Sequence, residues 1–86
     1  MNTYELKPVY DTAKSFYGKA RVLDIAGGSN LYSYDVKVVS ILDKPRITCR
    51  LDQLTKTTLR HIKDFLKQNG YEAETKAQIL KDYKNN

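Results

Sequence analysis

The stretch T-K-T-T-L-R-H-I-K-D-F-L-K-Q-N-G, residues 55–70, carries the signals of a complete α-helix. Thr55 is a favourable N-cap residue because its hydroxyl can accept a hydrogen bond from a backbone N–H of the first turn. Leu54 and Leu59 flank this start at the spacing of a hydrophobic staple. The glycine that closes the stretch readily takes the left-handed backbone conformation of a Schellman ending. These signals predict a helix over residues 56–69.

The two faces of this predicted helix differ in chemistry. One face is an apolar stripe of Leu59, Ile62, Phe65 and Leu66. The other face carries a row of cations, which consists of Lys56, Arg60, Lys63 and Lys67. Such a row suits the phosphates of a nucleic acid, but it also suits the solvated face of any amphipathic helix. Asp64 lies in the same row, and its spacing predicts surface ion pairs with Arg60 and Lys67.

The segments before the helix have the composition of β-strands. Strand-like runs cover residues 4–7, 15–25, 31–42 and 46–51. The connections between them are too short for parallel crossovers, so we expect an antiparallel meander. Pro8 ends the first run, as suits an edge strand. The G-G-S-N sequence is interpreted as a hairpin turn, because it lacks the G-K-[ST] of a phosphate-binding loop and a strand follows it.

Alternation assigns side chains of the later strands to the two faces of the sheet. One predicted face, packed against the helix, consists of Tyr32, Tyr34, Val36 and Val38. In the last strand the predicted inward residues are Ile47, Cys49 and Leu51. Its predicted outward residues are Arg46, Thr48 and Arg50. Cys49 is therefore expected to be a small buried apolar residue and not a nucleophile.

A second, shorter helix is predicted after the first. It begins at Thr75, where Thr75 and Gln78 have the spacing of a capping box. Its predicted buried residues are Ile79, Leu80 and Tyr83. Residues 1–86 are long enough for only one small core. We therefore predict a single small α+β domain, an antiparallel three- or four-stranded meander followed by a packed C-terminal helix and a short second helix.

Composition narrows the classes of function. The net charge is +5, and residues 55–86 hold seven Lys or Arg against four Asp or Glu. This basic region is compatible with nucleic acid, with an acidic protein partner, or with neither. With one cysteine the chain has no internal disulfide, and no spacing suggests a metal site or a cofactor. Without an apolar membrane span or a hydrophobic signal core, we expect a cytoplasmic protein that does not enter a membrane. The only histidine, His61, has no signature partner, so we predict no enzymatic activity.

Two stretches resemble a known group of proteins. Residues 4–20, Y-E-L-K-P-V-Y-D-T-A-K-S-F-Y-G-K-A, and residues 57–71, T-T-L-R-H-I-K-D-F-L-K-Q-N-G-Y, are similar to small uncharacterised proteins of Gram-positive bacteria, their phages and plasmids. The likeness includes the S-Y-x-x-K-V centre at residues 33–38. It supplies no active site or substrate. It implies a small accessory factor of a mobile element, of the kind that binds nucleic acid or host proteins.

The resulting functional prediction is a non-enzymatic binding module with nucleic acid as the favoured ligand. The predicted phosphate contacts are Lys56, Arg60, Lys63, Lys67, Arg46 and Arg50. The alternative is a protein-binding factor, such as an inhibitor of a host defence protein. Its predicted contact residues are Tyr10, Phe16 and Tyr17. Aromatic residues on a sheet can also stack single-stranded bases, but an RNA recognition motif is excluded because its helices interrupt its strands and here the strands run consecutively.

Overall fold

The strands form one antiparallel sheet in chain order, followed by two helices. The computed structural model describes residues 2–84. The strands are β1 Thr3–Glu5, β2 Ala20–Ile25, β3 Gly28–Ser33, β4 Val36–Ile41 and β5 Pro45–Ile47. The helices are α1 Lys56–Gln68 and α2 Lys76–Tyr83, with a 3₁₀ turn at Leu51–Gln53 before α1. The sheet order β1-β2-β3-β4-β5 confirms the predicted meander with β1 at an edge. The predicted count of three or four strands is wrong, since residues 2–84 form five.

The extra strand arises because a tight turn divides the predicted run 31–42. Tyr34 and Asp35 have φ values of 52° and 66°, and Ser33 pairs with Val36 across them. This is a two-residue type I′ hairpin, whose backbone twist matches that of the flanking strands. The predicted single face of Tyr32, Tyr34, Val36 and Val38 is therefore wrong, since the turn separates its members.

A second turn of the same type shortens the predicted strand 15–25. Tyr17 and Gly18 have φ values of 55° and 73°, and the Lys19 backbone N–H donates to the Phe16 carbonyl at 2.9 Å. The strand consequently begins only at Ala20. Both turns place a tyrosine in the left-handed region, which costs a non-glycine residue roughly 1–2 kcal/mol.

Replacing Tyr17 with asparagine is expected to raise the free energy of unfolding by about 0.5–1 kcal/mol. Asparagine tolerates the left-handed conformation, and Asn-Gly is a favoured pair in type I′ turns. Little packing is lost because Tyr17 is 78% exposed. Urea denaturation measures the change. Tyr10→Asn is the control, since Tyr10 is also exposed but is not among the residues with positive φ; an equal gain there would contradict backbone strain as the cause.

One face of the sheet packs against the helices and forms the core. A buried row crosses four strands in register, and it consists of Val22, Leu31, Val39 and Ile47. The apolar stripe of α1 contributes Ile62, Phe65 and Leu66 to the same core, as predicted. A β-bulge opposite Leu31 and Tyr32 leaves Val38 without a pair, and both Val38 and Val39 are buried. We call this covered surface the inner face.

The ends of α1 follow the local signals. Thr55 accepts a hydrogen bond from the Thr58 N–H at 3.2 Å. Gly70 has φ 85°, and the Tyr71 N–H donates to the Leu66 carbonyl at 2.9 Å. The predicted N-cap and Schellman ending are confirmed, and the helix ends one residue earlier than predicted, at Gln68.

The residues after β5 differ from the predicted long strand 46–51. Ile47 and Cys49 are buried as expected. Leu51, predicted to face inward, is 57% exposed because the chain has left the sheet and entered the 3₁₀ turn. At the start of α2, Thr75 accepts from the Gln78 N–H at 3.1 Å, which confirms the predicted N-cap.

Candidate nucleic-acid interface

Asp64 does not lie on the surface of α1 as predicted. Its side chain is only 2% exposed. Its carboxylate accepts hydrogen bonds from the backbone N–H groups of Val9, Tyr10 and Asp11, at 3.0, 3.1 and 2.8 Å. The amide of Gln68 donates to it at 2.6 Å. The segment before β2 therefore covers this part of α1, and the predicted ion pairs of Asp64 with Arg60 and Lys67 are wrong.

Two cations of the predicted row are engaged by other acids. Arg60 binds Asp11 through both Nε and Nη2, with the Nε contact at 2.9 Å. This hydrogen-bonded pair lowers the pKa of Asp11 to about 2. Lys67 lies 3.5 Å from a carboxylate oxygen of Glu74. Both pairs reduce the positive charge that the row presents to a ligand.

The other two cations of the row, Lys56 and Lys63, have no salt-bridge partner within residues 2–84. Lys56 is exposed at the first position of α1, and Lys63 is half-buried. Of four predicted phosphate ligands on the helix, only these two keep an unpaired charge. The row is therefore a weaker anion site than its spacing predicts.

The two predicted arginines outside α1 do not extend the row. Arg50 pairs with Asp52 at 3.1 Å. Arg46 is exposed between the buried residues Pro45 and Ile47, so it points away from the inner face. Because α1 covers the inner face, the sheet itself separates Arg46 from the cations of the helix.

Arg46 instead belongs to a basic and aromatic surface on the opposite side of the sheet, which the sequence analysis missed. We call this surface the open face, and it comprises Arg21, Tyr32, Lys37, Lys44 and Arg46. Arg21, Tyr32 and Lys37 pair in register across β2, β3 and β4, so the tyrosine lies between two cations. Lys37, Lys44 and Arg46 line one shallow depression beside them. Once the turn at residues 34–35 is recognised, alternation places Tyr32 and Lys37 on this side.

The open face also contains polar side chains with few partners. Arg21 lies 3.8 Å from Asp35, which is a loose pair between exposed groups. Asn30, paired with Ser40 in the centre of the face, is 8% exposed, and its Oδ1 has no hydrogen-bond partner within residues 2–84. Buried polar atoms are normally satisfied by protein or water. This oxygen is buried, so it is an unsatisfied acceptor beneath the surface of the open face.

His61 is buried beside two hydroxyl groups. Its Nδ1 lies 2.8 Å from the Ser33 hydroxyl, which lies 3.1 Å from the Thr58 hydroxyl. Burial, and secondarily the charge of Arg60, lower the pKa of His61, which favours the neutral imidazole. Within residues 2–84 no carboxylate hydrogen-bonds to this ring, so the orienting acid of a serine–histidine hydrolase is not supplied.

Neither a metal cluster nor an activated cysteine is found among the described residues. Between residues 2 and 84 no three His, Cys, Asp or Glu side chains are grouped to hold a metal ion. The Cys49 thiol is buried, and burial raises its pKa, which disfavours the nucleophilic thiolate.

The predicted protein-contact residues divide between surface and core. Tyr10 and Tyr17 are exposed, at 58% and 78%. Phe16 is buried against the ring of His61, with the ring centroids 4.6 Å apart. Phe16 therefore cannot belong to an exposed contact patch, because the turn that exposes Tyr17 directs its neighbour into the core.

The extent of this fold along the chain agrees with a family model that covers residues 4–81. The chain belongs to DUF8033, a family of unknown function. This confirms the resemblance to an uncharacterised family. Comparisons of the DUF8033 chain with curated proteins and with solved structures give no match. In the described part of the DUF8033 domain, neither helix has the length and apolar character needed to cross a membrane.

Proposed function

We propose that this DUF8033 domain is a non-enzymatic module that binds single-stranded nucleic acid through its open face. The observation that carries the proposal is the row of Arg21, Tyr32 and Lys37 across three strands. A tyrosine ring on a sheet surface can stack an unpaired base, for about 1–3 kcal/mol, while flanking cations contact the phosphates.

The open face is a better candidate than the cation row of α1. In that row Arg60 and Lys67 have acidic partners, which leaves two unpaired cations. On the open face Arg21 has a loose partner in Asp35, whereas Lys37, Lys44 and Arg46 have no salt-bridge partner within residues 2–84. A base-stacking ring also favours single strands over duplexes, whose bases are already stacked. The cellular setting implied by the resemblance, a cytoplasmic accessory protein of a phage or plasmid, is part of the proposal.

Binding of a fluorescent single-stranded oligonucleotide tests this function. If all four cations of the open face contact phosphates of the oligonucleotide, the slope of log K against log salt is about −2.8. Tyr32→Ala is expected to weaken binding by about tenfold or more, which corresponds to the loss of one stacked base. Fluorescence anisotropy over a salt series measures both quantities, with a duplex of the same sequence in parallel.

Two matched substitutions locate the site. Lys37→Ala is expected to weaken binding and to make the salt slope shallower by about 0.7, whereas Lys56→Ala on α1 is expected to change neither. Both lysines are exposed, so the pair differs in position and not in burial. A larger effect at Lys56 would move the site to the helix, and a salt-independent response would refute nucleic-acid binding.

A protein partner is the second candidate function. Val9 and Tyr10 are exposed apolar residues, and Asp64 binds both of their backbone N–H groups. A rigid apolar pair of this kind suits a protein contact. If the protein binds a host protein through Val9 and Tyr10, a stoichiometric complex with that protein survives nuclease treatment. Tyr10→Ala then abolishes this complex, and Tyr32→Ala leaves it intact.

A further inference from the structure

The two type I′ turns lie side by side and enclose a cavity. The Tyr34 N–H donates to the Lys19 carbonyl at 2.9 Å, which ties one turn to the other. Between these turns and α1 is a cavity of about 140 Å³. We call it the turn-end cavity, and its lining includes Phe16, Tyr17, Lys19, Tyr34, Arg60 and His61. Three of these side chains are aromatic carbon rings and one is an imidazole.

His61 supplies the cavity with a polar atom that the protein does not use. Its side chain is 1% exposed, and Ser33 engages Nδ1. Nε2 makes no hydrogen bond within residues 2–84. The ring lines the cavity, and Nε2 is its remaining nitrogen for a hydrogen bond to a group inside it. Because the imidazole is neutral, such a group need not carry a charge.

Aromatic rings form part of the wall of the cavity. The Tyr34 and His61 rings are tilted by 34° with centroids 5.9 Å apart, which is too close for a base to lie between them, and Phe16 packs edge-on against His61. The Lys19 ammonium lies over the Tyr34 ring, 5.4 Å from its centroid, so a base that stacks on Tyr34 displaces this ammonium. Asp11 holds the Arg60 guanidinium, which also lines the cavity. An aromatic wall with the His61 ring, the hydroxyls of Ser15 and Thr57 and two cations suits a nucleobase attached to its phosphate.

Backbone strain at two residues of the turn-end cavity is an independent indication of a ligand site. Tyr17 and Tyr34 both occupy the left-handed region, where asparagine or glycine would be less strained. Both tyrosines line the same cavity. Strained residues of this kind cluster at ligand clamps, where the side chain is needed in spite of its backbone.

We propose that the turn-end cavity receives one unpaired nucleobase, stacked on Tyr34 and hydrogen-bonded at its edge by His61, with Lys19 near its phosphate. The identification of the ligand rests on the proposed single-strand binding by the open face. The turn-end cavity would be a second subsite for a base, at the end of the sheet and separate from the stacking position at Tyr32.

Titration with mononucleotides tests the cavity alone. Adenosine 5′-monophosphate and cytidine 5′-monophosphate are added to isotope-labelled protein, and NMR follows the His61 ring and the Tyr34 amide. At least one nucleotide is expected to cause saturable shifts at both residues, and ribose 5-phosphate is expected to cause none. Tyr34→Asn should weaken the nucleotide by about tenfold or more. Its thermal midpoint should be equal to that of the wild type or higher, because asparagine fits the turn.

The results distinguish the cavity proposal from the proposed function of the open face. Tyr32→Ala is expected to leave the mononucleotide shifts unchanged while it weakens an oligonucleotide. If oligonucleotides bind but neither mononucleotide shifts His61, the cavity proposal is wrong and the proposed function stands. If mononucleotides shift His61 but oligonucleotides do not bind, the proposed function is wrong and the cavity proposal stands. Equal shifts with ribose 5-phosphate, or an unweakened Tyr34→Asn, would overturn the assignment of a base.

Discussion

Asp64→Ala is expected to lower the free energy of unfolding by about 3–5 kcal/mol. The carboxylate is buried, and it accepts from three consecutive backbone N–H groups and from the Gln68 amide. Hydrogen bonds to a charged group contribute about 1.5–3 kcal/mol each, and the donors left behind must be hydrated or remain unsatisfied. A domain of this size has a total stability of only about 5 kcal/mol. The variant should therefore be close to unfolding at room temperature.

Urea denaturation and amide hydrogen exchange check this expectation. The amides of residues 9–11 should lose their protection first, because Asp64 holds that segment on α1. Arg60→Ala is the control, since it removes the neighbouring ion pair of the same segment but leaves Asp64 in place. The Arg60 side chain is 46% exposed, so its loss should cost much less than the loss of the buried Asp64 carboxylate. Equal costs for the two variants would disprove the role assigned to Asp64.

Gly28→Ala is expected to cost about 3 kcal/mol or more. A Cβ atom at residue 28 would lie 1.8 Å from the Ile41 carbonyl oxygen of the neighbouring strand. The clash is with backbone where β3 begins and β4 ends, so it cannot be relieved by a side-chain rotation. Either β3 and β4 move apart or their register changes, and overpacking of this kind typically costs 1–3 kcal/mol or more. Urea denaturation measures the loss, and circular dichroism reports whether the sheet persists.

The adjacent glycine provides a matched control. Gly27 has φ 84°, but a Cβ atom there would meet nothing within 4 Å. Gly27→Ala should therefore cost only the left-handed backbone penalty of roughly 1–2 kcal/mol, and Gly27→Asn should cost less. If Gly28→Ala were no more harmful than Gly27→Ala, the close approach of β3 to β4 at this point would be wrong.

Both expectations concern contacts between residues far apart in the chain, and these are what sequence reasoning missed. The spacing of Asp64 from Arg60 and Lys67 predicted surface pairs, because helical periodicity describes a helix in isolation. Segment 9–11 covers that part of α1, and its composition does not predict this contact. Arg60 and Lys67 were predicted to be paired and they are, but their partners are Asp11 and Glu74 and not Asp64.

The turn at residues 34–35 is the second miss, and it moved the candidate site. A tyrosine is an unusual first residue for a type I′ turn, so the run 31–42 looked continuous. Because side chains alternate along a strand, a continuous strand over residues 31–42 assigns Tyr32 to the core. The turn that was missed places Tyr32 on the open face. The signal available was Asp35, because aspartate is depleted in strands and frequent in turns.

The chain's local signals do account for a large part of the fold. The Thr55 cap, the Schellman ending at Gly70 and the apolar stripe depend on neighbours within one or two helical turns, and they were predicted. The antiparallel order also followed, because short connections leave no other pairing. The partners of charged groups and the exposed side of each strand depend instead on which distant segments cover them. In this DUF8033 domain the burial of Asp64, the grouping of Arg21, Tyr32 and Lys37, and the cavity at His61 appear only when those segments meet, since burial and pairing are properties of the packed chain.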